Sequence, residues 1–124
     1  MLDGKRIMIV EDEALLALDL SLTLEDEGAE IEGPFHRLEQ AMRYDPQEID
    51  AALLDVDLSG VPVFPLADVL DRRGIPFVFH TGRADLAALR ERYGDVPILM
   101  KPTVPQEIVT TVSIAMRSNR DRAA

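Results

Sequence analysis

Five short apolar runs, Lys5–Val10, Ala29–Gly33, Ala51–Val56, Ile75–His80 and Val96–Met100, are spaced along the chain, each followed by a helix-patterned segment. They are nearly continuous rather than alternating, which suits strands buried on both faces of a parallel sheet. The segments between them carry their own punctuation. Ala14 through Glu27 is closed by Gly28, Leu38–Tyr44 is stopped ahead of Pro46, and Leu66–Arg73 has Pro65 before it and Gly74 after it. Leu86–Tyr93, opened by Asp85 and closed by Gly94, is the shortest and weakest helix. The last helix follows Thr103-Val104-Pro105-Gln106, which reads as a capping box in which Gln106 reaches back to Thr103. Its apolar positions Ile108, Val112, Ala115 and Met116 form one core face. Five βα units in succession require right-handed crossovers and predict an α/β fold, with a parallel sheet between two layers of helix.

At this length the natural arrangement is a flavodoxin-like (βα)5 sandwich with strand order 2-1-3-4-5. One domain is expected over 1–124, with its core in 5–116 and a basic tail, 117–124, expected to fray. The hydrophobic fraction of 47% and charged fraction of 29% belong to a globular chain. The absence of cysteine excludes a disulfide scaffold, a thiolate metal site and a cysteine nucleophile. Of the acids, 16 fall in residues 1–60 against 4 bases, and this half carries the surplus behind the net charge of −10. Such a balance argues against nucleic acid or an anionic membrane as partner. Met1-Leu2-Asp3-Gly4 has no signal-peptide pattern, and no apolar run approaches the eighteen or so residues needed to span a bilayer. The expectation is a cytoplasmic domain with no output domain attached.

In an open α/β sheet, ligands bind beyond the carboxyl ends of the strands. Strand one ends in Glu11-Asp12, strand three in Asp55 with Asp57 close behind, strand four in Thr81-Gly82 and strand five in Lys101-Pro102. Strand two ends in Gly33-Pro34 and offers nothing chemical. Carboxylates crowded at one edge repel unless a cation joins them, and hard oxygen ligands without sulfur or histidine favour Mg²⁺. A lysine and a small hydroxyl facing the same point suit a transferring phosphoryl group, and Asp55 can then serve as a carboxylate nucleophile.

Taken together, Ile9-Val10-Glu11-Asp12-Glu13, Ala52-Leu53-Leu54-Asp55-Val56-Asp57-Leu58, Phe79-His80-Thr81-Gly82-Arg83 and Met100-Lys101-Pro102 resemble the receiver domain of two-component response regulators. The resemblance runs from Lys5 to about Met116, and Phe79-x-Thr81-Gly82 is similar to stand-alone alphaproteobacterial receivers. It implies that Asp55 accepts phosphate from a sensor histidine kinase or a histidine phosphotransferase. It implies Mg²⁺ on Glu11, Asp12, Asp55 and the Asp57 main-chain carbonyl, and a phosphoryl group held by Thr81, Gly82 and Lys101. A cis Lys101-Pro102 bond is also implied. Asp57 and Arg83 occupy positions that tune phosphoaspartate lifetime, and Ile98 stands where the family usually carries a switching aromatic. The signal then passes by protein contact, through the loop after Thr81 and the fourth helix, or the domain only relays or drains phosphate.

Two other functions fit parts of the pattern. Asp55-Val56-Asp57 is a D-x-D after a strand, as in haloacid-dehalogenase-type phosphatases, although these usually place it on the first strand. A pseudo-receiver used only for interaction is the other; a flavodoxin-like cofactor binder would need a phosphate loop where Glu11-Asp12-Glu13 stands. An enzyme with turnover is not expected beyond self-phosphorylation and slow autodephosphorylation. His80 faces away from Thr81 and reads as structural, His36 as a loop residue, and Tyr93 as packing first and partner-facing second.

Overall fold

The computed structural model describes residues 1–82 and 85–123. The chain runs β1 (Arg6–Val10), α1 (Ala14–Glu25), β2 (Glu30–Phe35), α2 (Leu38–Arg43), a 3₁₀ turn (Pro46–Glu48) and β3 (Ala51–Leu54). It continues through β4 (Asp57–Leu58), β5 (Val61–Pro62), α3 (Phe64–Arg72), β6 (Phe77–Thr81), α4 (Leu86–Tyr93), β7 (Ile98–Met100) and α5 (Pro105–Ala123). Five parallel strands lie in the order β2-β1-β3-β6-β7, while β4 and β5 form a separate antiparallel hairpin. With that unforeseen hairpin set aside, the order is the expected 2-1-3-4-5.

Alternation along the strands divides the core in two. Ile7, Ile9, Leu53, Val78 and Leu99 pack under α1 and α5, against Leu20, Leu24, Ile108, Val109 and Val112. Met8, Val10, Leu54, Phe77 and Phe79 face α2, α3 and α4, against Ala41, Leu66, Leu70 and Leu89. The strands are therefore apolar on both faces, as a helix-covered parallel sheet demands.

Several boundaries depart from the sequence reading, each for a local reason. The fourth and fifth strands start late, at Phe77 and Ile98, because Pro76 and Pro97 have no N–H for the ladder. Ile75 and Val96 instead bond back to Leu70 and Tyr93 carbonyls. The third strand stops at Leu54 because the Asp57 amide turns back to Asp55 Oδ1 at 3.2 Å. Helix α3 begins at Phe64, with Pro65 inside its first turn.

The expected capping box does not form. Thr103 Oγ1 donates to the Met100 carbonyl at 2.6 Å, and Gln106 bonds Thr110 one turn ahead. The Asp85 cap on the fourth helix forms as expected, accepting from the Ala88 amide at 3.1 Å, whereas α1, α2 and α3 have no side-chain cap. Helix α5 runs from Pro105 to Ala123.

Strand β2 runs through Gly33 and Pro34 to Phe35, beyond its expected end. Gly33 has φ +97, and a Cβ there would sit 2.7 Å from the Phe35 amide nitrogen and 3.0 Å from the Ile9 carbonyl oxygen. Only glycine fits such a site, and the ladder to β1 shifts register there, between Met8 and Val10. The Gly33-Pro34 and Lys101-Pro102 bonds are both cis.

Candidate phosphoacceptor and cation site

Glu11, Asp55 and Lys101 each stand one step past a strand and Thr81 is the last residue of β6, all four held by the ladder's last hydrogen bonds. The Glu11 amide donates to the Phe35 carbonyl at 2.9 Å, and the Asp55 amide to Val10 at 2.9 Å. The Lys101 amide donates to the Thr81 carbonyl at 2.8 Å. These bonds bring the ends of β1, β3, β6 and β7 to one edge of the sheet. Glu11, Asp55 and Thr81 are buried there, with 1%, 6% and 1% of their surface exposed.

Lys101 Nζ lies between the two buried acids, 3.0 Å from Asp55 Oδ2 and 2.8 Å from Glu11 Oε1. It leaves the acids only partly compensated. Among the described residues Glu11 Oε1 receives no properly directed hydrogen bond, and Oε2 accepts the Glu13 amide at 3.1 Å. Burial pushes the Glu11 carboxyl up to about 7 against the pull of Lys101. Burial also raises Asp55, opposed by the same ammonium. Asp12 is different: a bond from Ser59 Oγ at 2.6 Å helps bring it below its ordinary value despite the opposing effect of burial. For Lys101, burial works against the charge, but the two carboxylates outweigh it and raise its pKa.

One oxygen each from Glu11, Asp12 and Asp55 lies within 4.8 Å of the others. Hard oxygens, one of them a buried carboxylate oxygen ion-paired to Lys101 but without a directed hydrogen bond, fit a divalent cation of the Mg²⁺ class. Asp57, exposed at the start of β4, contributes its amide to Asp55 Oδ1, while its own Oδ1 accepts the Gly60 amide at 3.0 Å. A side chain at Gly82 would come within 3.8 Å of Lys101 Cδ, so the loop backbone passes close to the lysine. Ile98 is paired in register with Phe79, half-buried in the α2–α4 core. Arg83 lies outside the described residues.

Two contributors were absent from the sequence reading. Strand β2, expected to offer nothing, holds Glu11 from both sides: Phe35 takes its amide, and His36 Nδ1 donates to its carbonyl at 2.9 Å. Because a carbonyl only accepts, Nδ1 must carry the proton. Ser59, which bonds Asp12, has φ +55 in the hairpin turn; its only signal in the sequence was the Ser59-Gly60 pair that marks a turn. His80 lies on the α1–α5 side of β6, as expected from alternation. It is 2% exposed and neither ring nitrogen has a hydrogen-bond partner among the described residues. Burial, aided by the Lys101 charge, brings its pKa down to about 4.

No protein-family model matches the chain. It is 32% identical over 126 residues to the DNA-binding response regulator MtrA of Mycolicibacterium paratuberculosis (strain ATCC BAA-968 / K-10), covering 97% of the chain and 55% of that protein. The chain thus spans about half the length of this relative. Among solved structures it superposes on the signal receiver domain of a modulated diguanylate cyclase from Desulfovibrio desulfuricans G20, with TM-score 0.85 and 27% identity over 97% of this chain and 99% of that one. The CheY-like response regulator receiver domain protein from Methanospirillum hungatei JF-1 has the same fold, with TM-score 0.82 at 23% identity, covering 97% and 99%.

Proposed function

The chain is a receiver domain of the two-component response-regulator type, and from that premise we propose that it is a phosphoacceptor in which Asp55 takes a phosphoryl group from a sensor histidine kinase or a histidine phosphotransferase. The observation that carries this reading is the Lys101 ammonium set between buried Asp55 and Glu11. A fixed cation beside a carboxylate nucleophile is what an incoming phosphoryl group requires.

In the transfer, an Asp55 carboxylate oxygen attacks the phosphorus of the donor phosphohistidine. The P–N bond breaks, its electron pair leaves with the imidazole nitrogen, and that nitrogen takes a proton from water. Lys101 shifts its ammonium onto a phosphoryl oxygen, Thr81 donates its hydroxyl to a second, and the Gly82 amide donates to the same group. Glu11, Asp12, Asp55 and the Asp57 main-chain carbonyl would hold Mg²⁺. When bound, the ion supplies the positive charge that lets an anionic phosphoryl group enter an acidic pocket. Asp57 and Arg83 are the positions that tune the lifetime of the phosphorylated product.

We place this exchange in the cytoplasm and the output in a contact with a second protein or in onward relay of the phosphate. The phosphatase alternative gains nothing from the relatives, and a pseudo-receiver leaves the Lys101 bridge without a task. Intact mass after incubation with acetyl phosphate tests the reading. Wild type gains one phosphoryl group only with Mg²⁺ present, and Asp55→Asn gains none; an equal gain in the variant overturns it.

A further inference from the structure

The three clustered carboxylates are held in different ways. Glu11 and Asp55 are buried, hang from ladder hydrogen bonds and face Lys101. Asp12 lies beyond β1 in the turn to α1 and is half-buried. Among the described residues, the side chain that fixes it from outside the acidic cluster is Ser59, whose hydroxyl donates to Asp12 Oδ2 at 2.6 Å across 47 residues of sequence. An ionised carboxylate has lone pairs for about four bonds, so this one leaves Asp12 able to take a cation as well.

The approach of Ser59 is built into the β4–β5 hairpin. Leu58 and Val63 are buried in the core under α2, α3 and α4, and the Val63 amide donates to the Val56 carbonyl at 2.9 Å. Leu58 pairs with Val61, and the Asp57 carboxylate closes the turn by accepting the Gly60 amide at 3.0 Å. Ser59 and Gly60 are left to make the turn. Ser59 takes φ +55 there, the only non-glycine residue with positive φ among the described residues. That conformation is costly for a residue with a Cβ, so the rooted hairpin must hold it. Asp57, whose main-chain carbonyl is assigned to the cation, opens the same hairpin. One turn therefore sets two of the groups assigned to the ion.

We propose that Ser59 is a positioning residue for the cation site: its hydroxyl aims the Asp12 carboxylate at the point shared with Glu11 and Asp55 before the cation arrives. This role rests on the Mg²⁺ assignment; the hydrogen bond itself does not. Groups that orient a ligand without touching the metal commonly change its affinity by roughly 10- to 100-fold.

Two substitutions separate the hydroxyl from the turn. Ser59→Gly adopts the positive φ without strain but has no donor, whereas Ser59→Asn tolerates the same φ and carries an amide that can donate. Calorimetric titration with Mg²⁺ alone should show affinity reduced about tenfold in Ser59→Gly and largely recovered in Ser59→Asn. Phosphorylation by acetyl phosphate, followed by intact mass over a series of Mg²⁺ concentrations, should show the same rise in half-saturating Mg²⁺, with a smaller effect on the rate at saturation. Wild-type affinity in Ser59→Gly, or an equal loss in both variants, overturns the proposal. If wild type itself binds no Mg²⁺, the cation assignment fails and the positioning role falls with it. The hydrogen bond is then decided by amide exchange across 57–62 in metal-free protein. Asp12→Ala should speed that exchange several-fold in the wild-type background and add nothing in Ser59→Gly; equal acceleration in both backgrounds overturns the bond.

Discussion

Lys101 donates to Asp55 at 3.0 Å across 46 residues of sequence, fastening the end of β7 to the end of β3. The lysine also faces buried Glu11, so one ammonium serves two carboxylates. Removing it leaves both acids buried without their counter-charge, which typically costs several kcal/mol. Lys101→Met should lower stability by about 3 kcal/mol near neutral pH in the absence of Mg²⁺, read as a fall in the urea midpoint. An unchanged midpoint contradicts the assigned pairing.

Mg²⁺ should stabilise the domain, and more so in alkaline solution. The Glu11 carboxyl is raised to about 7 when folded, so its protonated form contributes stability that is lost as pH rises through that value. A bound cation takes the proton's place. The rise in Tm on adding Mg²⁺ should therefore be larger near about pH 8 than near about pH 6, and should shrink in Glu11→Gln. A rise independent of pH speaks against Glu11 as a ligand.

His80 acts in the opposite direction. Buried without a partner, it has a folded pKa of about 4, below its unfolded value, so unfolded chains bind the extra proton first. Its penalty is absent above about pH 6.5 and grows to about 3 kcal/mol as pH falls toward 4. Because Glu11 titrates in part of the same range, the informative quantity is the difference between wild type and His80→Leu. That difference should move in the variant's favour on acidification; a difference that stays flat contradicts the burial of a neutral imidazole.

Gly33→Ala should cost about 1–2 kcal/mol for the positive φ alone. Crowding of the added Cβ against the Phe35 amide adds to that. The end of β2 should shift with it, loosening the Phe35 and His36 bonds to Glu11 and weakening Mg²⁺ binding. Wild-type stability and Mg²⁺ affinity in this variant together overturn the assignment of β2 as a support for the site.

The sheet and the sequence positions of Glu11, Asp12, Asp55, Thr81 and Lys101 were legible because a parallel sheet brings the carboxyl ends of its strands to one edge. Once five apolar runs are found, the residues just past each of them have their place in space. The details that escaped depend on contacts between distant segments or on competition among nearby groups. Tyr93 reaches Asp68 over 25 residues, and nothing local marks that pairing. The Thr103 hydroxyl could accept a backbone N–H in a capping box or donate to a carbonyl, and donation to the Met100 carbonyl at the Lys101-Pro102 turn won. Gly33-Pro34 reads as a terminator of β2, whereas its bulge carries the strand on to Phe35 and the support of Glu11.

Among the clustered carboxylates, Asp55 alone should receive the phosphoryl group, and locating the modification decides this. Protein treated with acetyl phosphate and Mg²⁺, then trapped with hydroxylamine, should yield one hydroxamate on the peptide that contains Asp55. Fragmentation should place it on that residue and not on Asp57. A hydroxamate on Glu11, Asp12 or Asp57, or none in protein shown to carry the phosphoryl group, contradicts the account.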